Sequence, residues 1–316
     1  MSRVLRPRRS CLAVPGASPK MLKKAQTLAS DQVFLDLEDS VAPSAKPGAR
    51  DNIVEALNTG DWGDRIRTVR VNDFDTEWAL DDVLAIVRGA GRNLDCIMLP
   101  KVESVSHIHW LDGVLTHLEK SEGLEVGRIG IEAQIEGPKG LAAVNDIAVA
   151  SPRIECIIFG PGDFMAAMHF PALSIGASDA VGYSPFDGVL LQLAVAARAN
   201  DLQVIDGPWG AIKDLTGYES AARRAADFGY DGKWVLHPGQ IDIANEVYSP
   251  DQDLYDKSEM ILDALEWATS EAGGSQGAVM LGDEMVDEAS RKLALVTAER
   301  GRALKMKRTT SFEVPK

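Results

Sequence analysis

The sequence predicts an α/β fold, a (β/α)8 TIM barrel followed by a small C-terminal helical domain. Eight short apolar runs, many of them β-branched, alternate with helical patterns, and polar residues follow almost every run at its C-terminal end. Near-continuous apolar runs indicate strands that are buried on both faces, as in a parallel sheet covered by helices. Eight strand–helix units fit a closed barrel better than an open sheet.

The strands and helices follow one another in strict alternation. The predicted strands are Cys11–Val14, Val33–Leu37, Ile66–Val71, Cys96–Leu99, Ile129–Ile135, Ile154–Phe159, Leu202–Ile205 and Lys233–Leu236. The predicted helices between them are Pro19–Ser30, Lys46–Asn58, Glu77–Gly89, Val105–Lys120, Pro138–Ala148, Phe186–Ala199 and Tyr218–Phe228. Helix start and stop signals agree with this division, since Ser18 and Pro19 suit the N-cap and N1 positions and Gly229 follows the last of these helices.

The pattern changes after Pro250, and the rest of the chain is predicted to be a separate helical segment. Its elements are an amphipathic helix over Asp251–Glu271, an apolar run over Gly277–Leu281, a turn over Gly282–Glu284 and a last helix from about Asp287 to Leu304. The polar tail over 305–316 is expected to fray. We therefore predict a barrel domain over 1–250 and a C-terminal segment over 251–316.

Composition excludes several classes of protein. The 316 residues include 33 Lys plus Arg against 47 Asp plus Glu, a formal charge of −14, so nucleic acid is not expected as the main partner. No apolar run approaches the roughly 18 residues of a membrane span. The cysteines Cys11, Cys96 and Cys156 have no metal-site spacing, and their odd number suits a reducing compartment. We expect buried thiols and a cytoplasmic protein.

Polar residues recur where the predicted strands end. They are Pro15 and Gly16, then Asp36, Glu38 and Asp39, then Arg70 and Asn72, then Lys101 and Glu103, and finally Glu136, Asp163, Asp206 and His237. All strand C-termini of a parallel barrel lie on one face, which is where substrates bind in this fold. These residues are therefore expected to converge on one site.

Glu136 and Asp163 end two consecutive strands and form the candidate metal site. Mg2+ is commonly held by one or two carboxylates, with substrate oxygens and water as the remaining ligands. The absence of an accompanying His or Cys disfavours zinc. Two independently solvated carboxylates are the alternative. The Gly160-Pro161-Gly162 loop leaves the backbone before Asp163 accessible to a ligand.

Arg70 ends its strand in Arg-Val-Asn and is a candidate for bidentate recognition of a carboxylate or oxyanion. An ion pair with the Asp36, Glu38 and Asp39 cluster is the compatible alternative, because so acidic a cluster requires a partner near a buried site. His237 could act as an acid or base, but a structural hydrogen bond is favoured. No serine-hydrolase elbow, Walker loop or dinucleotide fingerprint occurs in the sequence.

Several segments resemble the malyl-CoA lyase and citrate lyase β-subunit family of CoA-ester lyases. They are Leu-Ala-Val-Pro-Gly at 12–16, Val-Phe-Leu-Asp-Leu-Glu-Asp-Ser-Val-Ala-Pro at 33–43, Val-Arg-Val-Asn at 69–72, Met-Leu-Pro-Lys-Val at 98–102, Ile-Glu at 135–136, Phe-Gly-Pro-Gly-Asp at 159–163, Ile-Asp-Gly-Pro-Trp-Gly at 205–210 and Asp-Gly-Lys-Trp-Val-Leu-His-Pro at 231–238. The likeness runs from about residue 9 to about residue 300 and is closer to malyl-CoA lyases at 205–210 and 231–248.

The resemblance implies a TIM barrel whose small C-terminal domain forms a lid over a neighbouring subunit's site, in a homotrimer or homohexamer. It implies Mg2+, with Mn2+ as the alternative, bound by Glu136 and Asp163. Arg70 would hold the oxyanion or carbonyl of a glyoxylate-like half, with Glu38 and Asp39 in support. The family's acid/base aspartate matches Asp287, a residue that the sequence alone marks only as an N-cap.

The resemblance also implies a site for the CoA thioester. The matching positions are Ala13, Ser18, Lys24, Ile205 and Asp206, and Lys20 and Gly162 are further candidates for this site. Ser18 stands where close malyl-CoA lyases often carry Arg, and Lys20 is expected to replace that phosphate contact. The Gly-Pro-Lys-Gly that follows Glu136 and the short segment over 175–193 also depart from the family pattern.

The implied function is a Mg2+-dependent C–C lyase that reversibly cleaves a β-hydroxyacyl-CoA to acetyl- or propionyl-CoA and glyoxylate. (S)-Malyl-CoA or β-methylmalyl-CoA would be its substrate. The alternatives are a citramalyl-CoA lyase that releases pyruvate, a malyl-CoA thioesterase, and a non-catalytic CoA-ester-binding subunit. The expected partners are a CoA thioester and a 2-oxo acid, without nucleic acid or membrane.

Overall fold

The computed structural model describes residues 6–175 and 184–314, and eight of its strands form a closed parallel barrel. The barrel strands are β1 (Ser10–Pro15), β2 (Gln32–Asp36), β3 (Ile66–Arg70), β4 (Cys96–Leu99), β5 (Gly130–Ile135), β6 (Ile154–Phe159), β7 (Gln203–Asp206) and β8 (Gly232–Val235). Two of the predicted strands have the predicted bounds, and the other six differ by one residue at one or both ends. The predicted (β/α)8 fold is confirmed.

Closure of the barrel rests on the pairing of the last strand with the first. Each strand pairs in parallel with the next, and β8 pairs with β1 through Ser10 opposite Lys233 and Leu12 opposite Val235. A register shift between Ile131 and Glu132 marks the β5–β6 pair. Because all strands are parallel, their carboxyl ends lie on one face of the barrel.

Helices surround the barrel in the predicted order. They are α1 (Pro19–Ala25), α2 (Lys46–Thr59), α3 (Ala79–Ala90), α4 (Val105–Ser121), α5 (Pro138–Ala142), α6 (Val144–Val149), α7 (Pro161–Ala167), α8 (Asp187–Arg198), α9 (Leu215–Asp227) and α10 (Ile241–Val247). Within the described residues, no helix is long and apolar enough to cross a membrane.

The helices α7 and α10 were not predicted, α9 begins at Leu215 rather than at Tyr218, and two predicted helices differ from the observed ones in extent. The helix predicted over Pro19–Ser30 ends at Ala25, where the Thr27 and Leu28 N–H groups donate to the carbonyls three residues earlier, at 3.0 and 3.2 Å, in place of the α-helical pattern. The helix predicted over Pro138–Ala148 is two helices, separated at Ala143 by a backbone conformation of φ −97° and ψ 3°. Both differences concern local backbone geometry that hydrophobic periodicity does not report.

Apolar side chains form two clusters on opposite faces of the barrel wall. The larger cluster contains residues of both strands and helices, so it lies between the wall and the helices. The smaller one contains strand residues only and fills the barrel interior with Cys11, Phe34, Met98, Cys156, Ile158, Ile205 and Trp234. All three cysteine side chains are buried, as predicted, and burial raises the pKa of the Cys11 and Cys156 thiols.

Arg8 fills the amino-terminal end of the barrel. Its buried guanidinium donates to Gln32 Oε1 at 3.0 Å and to Glu132 Oε1 at 3.2 Å, and Gln32 Nε2 donates to Glu132 Oε2 at 2.9 Å. It also donates to Glu155 and Gln203. A buried charge is tolerated only when it is paired and hydrogen-bonded, and these partners satisfy Arg8 at the end away from the candidate site.

The chain from Ser249 onwards forms a second compact unit. It contains α11 (Gln252–Thr269), a two-stranded antiparallel sheet of β9 (Val279–Leu281) and β10 (Glu284–Val286), and α12 (Glu288–Ala303). The tail that was predicted to fray is instead held at its start, since the Thr309 N–H donates to Asp256 Oδ1 at 3.0 Å.

A buried ion network fastens α4 to the strand pair β5–β6. Arg153 donates to Glu119 Oε1 at 3.0 Å and Oε2 at 2.7 Å, and Glu119 also accepts from the backbone N–H groups of Gly127 and Ile129. Burial alone would raise the pKa of Glu119, but the Arg153 and backbone hydrogen bonds lower it below its ordinary value.

We predict that Glu119→Gln lowers the free energy of unfolding by about 2 kcal/mol at pH 7, because hydrogen bonds to a charged group are lost. The folded pKa of Glu119 lies below its unfolded value of about 4.3, so this contribution is complete above that pH and is lost as pH falls through the folded pKa. Urea unfolding at pH 7 and at lower pH measures the free energy of unfolding of both proteins. The difference in this free energy between Glu119→Gln and the wild type should become smaller in acid.

Glu125→Gln is the matched control, because Glu125 is exposed and lies in the loop after the same helix. A Glu119→Gln protein as stable as this control at pH 7 would contradict the role given to the network.

Candidate active site

Arg70 lies at the carboxyl end of β3 and pairs with Asp36 at the end of β2. The two residues are register partners, and the guanidinium donates from Nε to Asp36 Oδ1 at 2.7 Å and from Nη2 to Asp36 Oδ2 at 2.8 Å. Asp36 is in turn fixed by the Glu38 N–H at 2.9 Å and by the Ser40 hydroxyl. The parallel register thus places a bidentate ion pair at the barrel mouth, as the sequence suggested.

The Arg70 guanidinium lies above the apolar floor of the barrel. Its carbon is 5.2 Å from the ring centre of Trp234 and 5.8 Å from that of Phe34, within cation–π range. Burial alone would lower the pKa of Arg70, but the charge and hydrogen bonds of Asp36 raise it above its ordinary value. The two bonds to Asp36 use one donor each from Nε and Nη2, so donors remain for another anion.

Acidic side chains from two loops lie near this arginine or near the lysine beside it. Glu38 Oε2 is 2.8 Å from Arg70 Nη1, and Asp39 Oδ2 is 3.9 Å from the same nitrogen. On the other side of Glu38, Lys101 Nζ lies 2.6 Å from Glu38 Oε1 and 3.1 Å from Asp163 Oδ2. The structure therefore brings together the residues that follow β2, β3, β4 and β6.

Glu136 follows β5 and is buried, at 7% exposed, as are Asp36 and Glu38. Its Oε2 accepts from the Lys101 N–H at 2.9 Å, and its Oε1 accepts from Gln134 Nε2 at 2.7 Å. Burial, together with the negative charge of Glu38, raises the pKa of Glu136 to about 8. Gly160 makes room for it, since a Cβ there would overlap the Glu136 side chain.

The donors in this group are suited to a hard divalent cation. Within residues 6–175 and 184–314, no three His, Cys, Asp or Glu side chains are arranged to hold a metal ion together. A metal would here depend on two carboxylates, with oxygens of substrate and water, and this is the usual manner of Mg2+ binding. The ammonium of Lys101 between Glu38 and Asp163 shows that a cation fits among these carboxylates.

Lys46, at the start of α2, holds the loop that carries Glu38. Its buried ammonium donates to the carbonyls of Leu37 at 2.7 Å and Glu38 at 3.0 Å, and to Asn72 Oδ1 at 2.6 Å. Burial lowers the pKa of Lys46, against the opposing effect of Asp82. Asp82 accepts from the Asn72 side chain and from Asn72 N, and Asn72 Nδ2 also donates to the Leu37 carbonyl at 3.0 Å, which ties the loops after β2 and β3 together.

Two predicted mouth residues make other contacts. Asp206, at the end of β7, forms a buried ion pair with Lys233 of β8 and accepts from the Gly207 N–H at 2.8 Å. His237 caps a short 3-10 turn, because its Nδ1 accepts from the Gly239 N–H at 3.1 Å. The structural role favoured for His237 agrees with this hydrogen bond.

The positions assigned to CoA by resemblance lie on several segments of the barrel unit. Ser18 is the N-cap of α1, Lys20 and Lys24 are exposed on that helix, and Ala13 is half-buried in β1. Ile205 is fully buried in β7, so only its backbone could contact a ligand, and Gly162 is exposed at the start of α7. The short segment over 175–193 lies in part, at 176–183, outside the described residues.

Asp287 belongs to the second compact unit and is the N-cap of α12. Its Oδ1 accepts from the N–H groups of Ala289 at 2.9 Å and Ser290 at 3.1 Å, and the Ser290 hydroxyl accepts from Asp287 N at 3.3 Å. These backbone hydrogen bonds lower the pKa of Asp287. The sequence-based interpretation as an N-cap is confirmed, and the acid/base role stays a prediction.

Three side chains of the site were given no role by sequence reasoning. Lys101, Lys46 and Gln134 all contact the carboxylate group or its supporting backbone. Lys101 follows the predicted strand over Cys96–Leu99, and this position was the only signal of its involvement. Gln134 and Lys46 lie within a strand and a helix, where nothing in the local pattern distinguishes them.

Comparison with known proteins places these features in context. Residues 9–238 match the family model described as HpcH/HpaI aldolase/citrate lyase. An L-malyl-CoA/beta-methylmalyl-CoA lyase of Cereibacter sphaeroides is 37% identical over 301 residues, which cover 92% of this chain and 93% of the relative.

Two other proteins are similar over most of the chain. A (3S)-malyl-CoA thioesterase of Cereibacter sphaeroides is 36% identical over 250 residues, which cover 79% of this chain and 80% of the relative. The solved structure of CitE from Mycobacterium tuberculosis, in complex with magnesium, acetoacetate and coenzyme A, has a TM-score of 0.69 and 25% identity. The matched region covers 93% of this chain and 97% of the CitE chain.

We predict that Lys46→Met lowers the free energy of unfolding by about 3 kcal/mol, because three buried acceptors lose their donor. The loop that carries Glu38 should loosen as well, so kcat/KM should fall in any reaction that depends on Arg70 and Glu38. Urea unfolding and steady-state kinetics measure the two effects.

Lys23→Met, at an exposed position of α1, is the control and should match the wild type in both measurements. Wild-type stability in the Lys46→Met protein would show that its ammonium does not hold the loop.

Proposed function

The chain belongs to the HpcH/HpaI aldolase/citrate lyase family, and on this basis we propose that it is a carbon–carbon lyase acting on CoA esters. The proposed reaction is the reversible cleavage of a β-hydroxyacyl-CoA, malyl-CoA or β-methylmalyl-CoA, to acetyl- or propionyl-CoA and glyoxylate. The family relationship supports the reaction class, and the names of the similar lyases support the substrates.

The observation that carries the proposal is the buried Arg70 guanidinium, fixed by Asp36 and surrounded by carboxylates at the barrel mouth. A fixed positive charge with donors left over can bind the carboxylate or developing oxyanion of a 2-oxo acid. Its position is set before any ligand arrives, because Asp36 and the rings of Phe34 and Trp234 hold it.

Glu136 and Asp163 are the residues that would hold Mg2+, or Mn2+ as the alternative. When bound, the cation supplies Lewis-acid polarisation of substrate oxygens and a template for their orientation. Glu38 and Asp39 support this arrangement from the side of Arg70, at 2.8 and 3.9 Å from its Nη1.

One of the two proton transfers is assigned to a named side chain. In the cleavage direction a base removes the proton of the β-hydroxyl, the C–C bond breaks, and the oxo acid stays against Arg70. The CoA enolate then takes a proton at its carbon, and Asp287 is proposed to deliver it from a neighbouring subunit of a homotrimer or homohexamer. In the synthetic direction the same carboxylate removes that proton.

The CoA moiety is proposed to lie over the loop between β1 and α1. Lys20 and Lys24 are exposed there at helical spacing i and i+4, which places two positive charges on one face of α1. Ala13, Ser18, Gly162 and the backbone at Ile205 and Asp206 complete the proposed contacts. Local basic residues of this kind suffice for phosphates in a chain of net charge −14.

Hydrolysis of malyl-CoA is the second candidate function, because a malyl-CoA thioesterase is nearly as similar as the lyases. Both activities can begin at a site that binds the same CoA ester. They differ in products, since hydrolysis yields malate and free CoA whereas lysis yields acetyl-CoA and glyoxylate.

We predict that the pure protein condenses acetyl-CoA or propionyl-CoA with glyoxylate in the presence of Mg2+, and that EDTA abolishes this. Mass spectrometry of every pairing with glyoxylate and pyruvate identifies the products.

Arg70→Lys keeps the charge but loses the bidentate pair, so kcat should fall about a hundredfold. Glu125→Gln, at an exposed site, is the control and should retain wild-type turnover.

Other products in the same assay would indicate one of the alternative functions. Condensation with pyruvate alone would indicate a citramalyl-CoA lyase, and release of malate with free CoA would indicate the thioesterase. Binding of CoA esters without turnover in any pairing would contradict the enzyme proposal and favour a non-catalytic subunit.

We predict that Asp287→Asn abolishes turnover while leaving stability and CoA-ester binding intact, because asparagine caps a helix as well as aspartate but carries no acidic proton. Asp287→Ala should also abolish turnover and should lose about 1 kcal/mol of stability with the cap. Turnover, thermal unfolding and CoA-ester binding of the two variants separate the catalytic role from the capping role.

Unchanged turnover of Asp287→Asn would remove Asp287 from the reaction. Mixing inactive Asp287→Asn protein with the slow Arg70→Lys protein tests the proposed action across subunits. Recovery of activity in mixed oligomers is expected, and no recovery after subunit exchange would contradict the lid role of the C-terminal segment.

A further inference from the structure

Lys101 is a strained residue within the carboxylate group. Its φ of 50° lies in the left-handed region, which a lysine enters only when surrounding contacts require it. Two backbone hydrogen bonds hold it there: Lys101 N donates to Glu136 Oε2 at 2.9 Å, and Val102 N donates to the Gln134 carbonyl at 3.0 Å. The backbone of Lys101 is therefore fixed against β5.

The Lys101 side chain leaves this fixed backbone and joins two loops. Its ammonium hydrogen-bonds to Glu38 Oε1 at 2.6 Å, forms an ion pair with Asp163 Oδ2 at 3.1 Å, and lies 3.8 Å from Asp39 Oδ1. The side chain is 31% exposed, so its flexible stem can turn towards solvent without breaking the backbone contacts.

The mouth carries more negative than positive charge. Its carboxylates include Asp36, Glu38, Asp39 and Asp163, and the cations in contact with them are Arg70 and Lys101. Arg70 is committed to Asp36 and Glu38, so Lys101 is the cation that contacts Asp163. Among the described residues, no other ion pair of Asp163 is seen.

We propose that Lys101 is the resident counter-cation of the mouth, which neutralises Glu38 and Asp163 until a divalent cation takes Asp163 from it. The inference rests on the proposed function, since it takes Asp163 as a metal ligand. Two cations that share one carboxylate repel each other. The Lys101 ammonium is the one that moves away, because it is carried on a flexible side chain. Lys101 therefore lowers the affinity for the metal while it keeps the empty site neutralised.

Titration calorimetry with MgCl2 tests the proposal without an activity assay. Lys101→Asn is the main variant, because asparagine tolerates the left-handed backbone and carries no charge. Removal of a competing charge at this range should tighten Mg2+ binding about tenfold. Lys101→Met should tighten it as well, and Lys101→Arg, which keeps the charge, should bind within about threefold of the wild type.

Thermal unfolding provides the second readout. Without Mg2+, Lys101→Asn should melt below the wild type, because Glu38 and Asp163 lose their counter-cation. With saturating Mg2+ the two melting temperatures should converge. Lys139→Met is the control, since Lys139 is exposed and pairs with Glu103 at 2.9 Å rather than with the carboxylates at the mouth. It should match the wild type in both experiments.

The outcomes separate this inference from the proposed function. If the wild type and every Lys101 variant bind no Mg2+, the metal site of the proposed function is wrong. If the wild type binds Mg2+ and Lys101→Asn binds it equally or more weakly, the counter-cation role is overturned and the metal site stands.

Discussion

Closure of the barrel by β8 against β1 is the constraint on which the candidate site depends. Because every strand is parallel to its neighbours, side chains that are far apart in the chain meet around one axis at the carboxyl face. Closure also requires that the interior be filled, and large side chains such as Phe34 and Trp234 fill it below the mouth. Arg70 lies against these two rings, so the packed interior is the floor of the site as well as the core of the barrel.

Charged groups at that floor are costly to bury unless each is paired, and the groups here are not paired equally well. Asp36 satisfies Arg70 through two hydrogen bonds, whereas Glu38 and Asp163 share Lys101. Among the described residues, Glu136 accepts only from the Lys101 backbone N–H and the Gln134 amide, so acidic groups outnumber the cations. Glu136 shows the consequence, since burial beside Glu38 raises its pKa to about 8. The positive charge of Arg70, fixed by Asp36 before any ligand arrives, is what a reaction that develops negative charge requires.

Local and repetitive features could be predicted from the sequence. The strands over Cys96–Leu99 and Ile154–Phe159 have the predicted bounds, because strands buried on both faces are apolar throughout and their polar neighbours mark the ends. Asp287 was recognisable as an N-cap because a cap bonds to residues two and three positions away. Helix ends were less accurate, as at Thr27, where the backbone N–H donates to the carbonyl three residues earlier and the α-helical pattern stops.

The sequence by itself thus determined the barrel, the order of its elements and the polar positions that face the mouth, since each depends on nearest neighbours or on a repeated pattern. Only the tertiary structure decided which of those positions are partners: Lys101 between Glu38 and Asp163, and Lys46 beneath the Glu38 loop. These contacts join separate loops. Their distances follow from strand register and barrel closure, which no single stretch of sequence contains.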